Sequence, residues 1–89
     1  MGQWEKLIAE ILKLNRNLRF GDLAKALTQM GYKQSQPKGG SSHYTFRKKN
    51  CVPVTLPKSK GHMDIVYIRI VRDTVAEYLH DGGEQDERP

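Results

Sequence analysis

The chain has 89 residues, with 15 lysines and arginines against 10 aspartates and glutamates, a net charge of +5, and a single cysteine. That length favours one small domain with a marginal core. Cys51 alone excludes an internal disulfide and fits a reducing compartment, and no run of about 18 apolar residues offers a membrane span. The N-terminus lacks a basic segment followed by an apolar one, so no signal peptide is expected and the expected location is the cytoplasm.

Charge is unevenly placed. Residues 81–89 hold Asp81, Glu84, Asp86 and Glu87 against Arg88, a local −3 that leaves +8 on residues 1–80 of a chain whose total is +5. Between Leu23 and Met63 there is no acidic residue at all. The expected organisation is therefore one domain over 1–80 and a disordered acidic tail over 81–89, polar and without an apolar anchor. So basic a body points to nucleic acid or to an acidic protein surface rather than to a neutral metabolite.

In chain order, Trp4, Leu7, Ile8, Ile11 and Leu12 recur at helical spacing and predict an amphipathic helix over 3–14, ended by Asn15-Arg16-Asn17. A second helix is expected from Gly21-Asp22 through Leu23, Ala26, Leu27 and Met30, with Gly31 as a left-handed cap. Three strand-like segments follow: Tyr32 to Gln36, Ser42 to Arg47 and Val52 to Leu56. Alternation places Tyr44 and Phe46 toward the core and His43, Thr45 and Arg47 on the opposite face. By the same rule Val52, Val54 and Leu56 point inward and Thr55 outward, and Pro53 assigns that strand to an edge or a bulge. Pro37 to Ser41 forms a glycine turn, and Lys48-Lys49-Asn50 a basic hairpin tip. A last helix begins near Asp64 and carries Ile65, Ile68, Val71, Val75 and Leu79. The expected class is α+β: a three-stranded antiparallel sheet with helices on one face, in the order helix, helix, three strands, helix.

The chemistry centres on His43. An imidazole on an open, basic sheet face could exchange a proton with an RNA 2′-hydroxyl attacking its neighbouring phosphate, although lone surface histidines are common and position alone favours a solvated strand histidine. Gly40, Ser41 and Ser42 could present amide and hydroxyl donors to phosphate, as an ordinary turn also would. Lys33, Lys38, Arg47, Lys48, Lys49, Lys58 and Lys60 are expected near one sheet face and its loops, where they could hold backbone phosphates without reading sequence. No metal or other cofactor is expected, because His62, His80 and Cys51 form no ligand spacing with one another or with His43. Neither a phosphate loop nor a serine-based triad is present.

The run Leu18-Arg19-Phe20-Gly21-Asp22-Leu23, then Gly31-Tyr32, Lys38 to Arg47 and Val54-Thr55-Leu56-Pro57, resembles the HicA family of bacterial toxins over roughly residues 5–79. The resemblance implies a fold like the double-stranded RNA-binding domain, endoribonuclease activity on messenger RNA, restraint by a HicB-like antitoxin, and His43 as the catalytic histidine. Two positions depart from the family pattern. Ser41 and Ser42 both separate Gly40 from His43, where many members have a single serine, and Ser59 stands where many have a second histidine. The helix over 3–14 is an addition to the smallest members. Two other readings compete: a noncatalytic RNA-binding module using the basic sheet face, and a DNA-binding regulator using the Asp22 to Met30 helix, which carries little positive charge.

Overall fold

A computed structural model describes residues 2–35, 43–58 and 60–80. Its elements are α1 (Gln3–Leu12), α2 (Phe20–Gln29), β1 (Lys33–Gln34), β2 (His43–Arg47), β3 (Val54–Pro57) and α3 (Ile65–His80). The three strands form one antiparallel sheet in the order β1-β2-β3. The class is α+β, as the hydrophobic periodicities predict. No helix among the described residues is long and apolar enough to cross a membrane.

Each helix ends where local chemistry requires. α1 stops at Leu12, short of the expected residue 14, because Leu14 turns to a left-handed φ of 57° and the Asn15 amide bonds back to the Glu10 carbonyl at 3.1 Å. The Asn15 side chain also donates to the Glu10 carboxylate, a bond that, with Lys13 nearby, holds this carboxyl below the usual range although burial opposes it. α2 starts one residue earlier than expected, with Phe20 buried, since the Asp22 carboxylate reaches back to the Arg19 amide at 2.9 Å. Beyond its end, Gly31 takes φ 103° and the Tyr32 amide bonds to the Leu27 carbonyl at 3.0 Å. Asp64 caps α3, its carboxylate accepting from the Val66 amide at 2.9 Å.

The core lies between the helices and one face of the sheet. Phe46 and Leu56 are fully buried there against Ile11, Leu23, Leu27, Ile68, Val71 and Val75. Phe20 bridges the layers, its ring 5.4 Å from that of Tyr44 and 6.2 Å from that of Phe46. Trp4 is half-buried and packs against this cluster, which makes α1 part of the same core.

Three residues of the predicted apolar stripes are exposed instead, among them Leu12 at the end of α1, 40% exposed. Val52 is 81% exposed, because a turn closed by the Cys51 amide on the Lys48 carbonyl at 3.0 Å is followed by Pro53, which delays the strand to Val54. Leu79 is 41% exposed, since it lies in the last turn of α3, beyond the buried stripe of Ile68, Val71 and Val75.

The ladder fixes which backbone groups remain on the free edge. The Ser35 amide bonds to the Thr45 carbonyl at 2.9 Å, so Thr45 directs its backbone toward β1, and its neighbours Tyr44 and Phe46 direct theirs toward Leu56 and Val54. Thr55 and Pro57 therefore point their backbone groups away from the sheet. Pro57 is tolerated inside β3 because its missing N–H falls on that open edge. With Pro53 just before the strand, Thr55 is the only donor between two prolines, an edge that resists pairing with another chain.

Candidate nucleic-acid interface

The open face is built in rows across the strands. In the row nearest the hairpin, Lys33 is opposite Arg47. Thr45 is opposite Thr55 in the next, their hydroxyl oxygens 3.2 Å apart, and Ser35 flanks them with its hydroxyl donating to the Thr45 carbonyl at 2.8 Å. His43 is opposite Pro57 in the last row. His43 and Arg47 are both exposed on this face. Four residue steps along the strand separate them, about 13 Å, so the two side chains address different points of a ligand rather than one phosphate.

The expected basic face divides into three groups. Lys33 and Arg47 lie on the open face, with Lys49 at the hairpin tip beside them, all three lining one concavity of ≈ 470 Å³. Lys58 and Lys60 lie at the other end, where with Arg19, Phe20 and Gly21 they line a second concavity of ≈ 380 Å³ near the start of α2. There the Lys58 ammonium is 5.8 Å from the Tyr44 ring centre and so leans toward the helix-covered side.

Lys48 also lines the first concavity, but its charged end is turned elsewhere. Its ammonium is 4.9 Å from the centre of the Tyr78 ring and 5.7 Å from that of Tyr32, on the covered side of the sheet. Alternation explains this: Lys48 continues the inward series of Tyr44 and Phe46, and its stem spans the space above Gly31, where a β-carbon would come 3.4 Å from the Lys48 Cε. Its ammonium is thereby engaged by the two tyrosine rings, which gives it a structural part in the fold. Lys38, Gly40, Ser41 and Ser42 lie outside the described residues, as does the acidic tail.

Arg19 is the cation that the sequence reading passed over. It stands one residue before α2, and the signal was its place in the run Leu18 to Leu23. An isolated antiparallel bridge pairs it with His62, and the Met63 amide bonds to the Leu18 carbonyl at 2.8 Å, which draws the segment after β3 alongside α2. Cys51 is exposed and adjoins Tyr32, whose phenol is pushed up to about 12 by burial first and then by the Cys51 side chain. Among the described residues no group of three or more His, Cys, Asp and Glu is placed to hold a metal ion.

Comparison with known proteins adds no relative: no protein-family model, no curated protein and no solved structure matches this chain. The functional reading therefore rests on the residues and their placement.

Proposed function

We propose that this chain is an endoribonuclease toxin with a fold like the double-stranded RNA-binding domain, acting on messenger RNA, with His43 transferring the proton. The observation that carries the reading is the exposure of His43 on the uncovered sheet face, on the same side as Arg47 and Lys33. In such a reaction the imidazole accepts the 2′-hydroxyl proton as that oxygen attacks the adjacent phosphorus. The bond to the 5′ oxygen breaks, and a proton is returned to that leaving oxygen. The products are a 2′,3′-cyclic phosphate and a 5′-hydroxyl. Cations around the phosphate offset the negative charge that builds in the transition state.

A toxin of this kind requires restraint, and the resemblance supplies a HicB-like antitoxin. Because the β3 edge offers one donor between Pro53 and Pro57, an acidic surface laid over the open face suits this chain better than a strand added to that edge.

The test is induction of the wild-type chain and of His43→Ala in bacteria, with growth and RNA integrity followed, and cleavage of RNA by both purified proteins. Growth arrest and RNA fragments ending in cyclic phosphate are expected from the wild type and not from the variant. Fragmentation that persists unchanged in His43→Ala removes the catalytic role of that residue. Binding without cleavage by either protein favours the noncatalytic RNA-binding module.

A further inference from the structure

The register of β1 on β2 sets Lys33 directly opposite Arg47. The Ser35 to Thr45 bond two residues along makes this a closely bonded pair, whose Cα atoms lie about 5.5 Å apart in such ladders. Like charges in that relation repel and destabilise a sheet. Neither side chain has an acidic partner among the described residues, where the ion pairs are Lys13 with Glu10 and Arg72 with Asp73. Lys49 and the stem of Lys48 line the same concavity, and no acid does. Among the described residues nothing offsets this repulsion, and an anion seated between the two side chains would remove it.

We propose that Lys33 and Arg47, assisted by Lys49, form a clamp for a backbone phosphate of single-stranded RNA, separate from the point at which His43 acts. The choice of RNA rests on the function proposed above. The floor between clamp and histidine is uncharged: the Thr45 and Thr55 hydroxyls meet each other and the Ser35 hydroxyl is engaged by the Thr45 carbonyl. Charge is therefore concentrated at the clamp end of this path. The separation of about 13 Å corresponds to about four nucleotides at 3.4 Å of rise per stacked nucleotide. Oligonucleotides too short to cover it cannot engage the clamp and His43 together, so the protein discriminates by length.

The experiment uses the full chain carrying His43→Ala, so that RNA survives, and measures the anisotropy of fluorescent single-stranded oligoribonucleotides, one shorter than the span and one longer, across a salt series. In Lys33→Gln/Arg47→Gln the slope of log affinity against log salt for the longer RNA falls in magnitude by about 0.7, the value for one lost phosphate contact. The short RNA, which can seat on the clamp alone, loses affinity as well. Lys6→Gln/Lys25→Gln, which removes the same charge from the helical side, leaves the slope near the parent value. Lys33→Arg retains it. An equal fall in both double variants, or none in either, overturns the clamp.

A DNA strand of the longer length distinguishes phosphate chemistry from recognition of ribose: the same loss is expected with DNA, and a loss confined to RNA overturns the assignment. Thermal unfolding at low salt gives an independent reading, with Lys33→Gln expected to raise Tm by relieving repulsion. A lowered Tm would show that the pair is structural and refute the proposal. Because binding is read on the His43→Ala protein, failure of the wild type to cleave RNA bears on His43 and leaves the clamp to be judged by these measurements.

Discussion

The Lys48 ammonium lies 4.9 Å from the centre of the Tyr78 ring, joining the end of β2 to the last turns of α3. Tyr32 shares the same cation from 5.7 Å, so three elements meet at one lysine. Replacing Lys48 by methionine keeps most of the stem and removes the charge, and is expected to cost about 1 kcal/mol of stability, the scale of a partly exposed cation–π contact. Urea unfolding measures it. The salt dependence of RNA binding should be nearly unchanged in this variant, in contrast to Lys33→Gln/Arg47→Gln.

Asn50 holds the hairpin turn at φ 65°, a conformation that asparagine tolerates and most side chains do not. Asn50→Ala is expected to destabilise by about 1 kcal/mol through backbone strain. Asn50→Gly is expected to be neutral or slightly stabilising. A pair of thermal melts in that order checks the turn independently of any ligand.

Val52 and Leu56, both placed inward in the third predicted strand, should separate cleanly. Val52→Ser, at an 81% exposed position, should fall within about 0.5 kcal/mol of the parent. Leu56→Ala, at a fully buried site of β3, should cost about 2–5 kcal/mol. Similar effects at both positions would contradict the late start of β3.

Tyr32 makes stability fall at alkaline pH. Its phenol is held at about 12, by burial and then by Cys51, against an ordinary 10.0. The folded chain therefore keeps a proton that the unfolded chain loses first. The contribution is fully present below pH 10.0 and is lost as pH rises through about 12. Denaturant midpoints across that window should decline, and Tyr32→Phe should flatten the decline.

The prolines at the β3 edge should govern self-association. Pro53→Thr/Pro57→Thr restores backbone donors on either side of Thr55 and is expected to increase concentration-dependent association in sedimentation, relative to the monomeric behaviour expected of the parent. Equal sedimentation at all concentrations would show that the edge is protected by something other than proline.

Much of the fold was legible because it follows from periodicity. The helical recurrence of Trp4, Leu7, Ile8 and Ile11 and the alternation of Tyr44 and Phe46 with His43, Thr45 and Arg47 are local properties of the chain. Where the reading missed, a local pattern met a nonlocal constraint. Val52 fits an alternating strand, but the turn at Lys48 to Cys51 and the following proline set the first paired residue at Val54. Lys48 reads as part of a basic tip, yet its face depends on where Tyr78, thirty residues on in α3, comes to rest.

By itself the sequence determined three helices, three strands, the side of the sheet on which His43 stands, and an acid-free basic stretch from Leu23 to Met63. Only the tertiary structure decided how those cations are shared out. Lys33 meets Arg47 because ladder register brings together residues fourteen apart. Lys48 is drawn to the tyrosines, and Lys58 and Lys60 gather with Arg19 because the bridge to His62 folds that segment against α2. Charge is written residue by residue, but repulsion and its relief depend on distance, which the chain acquires only when its strands pair and its helices pack.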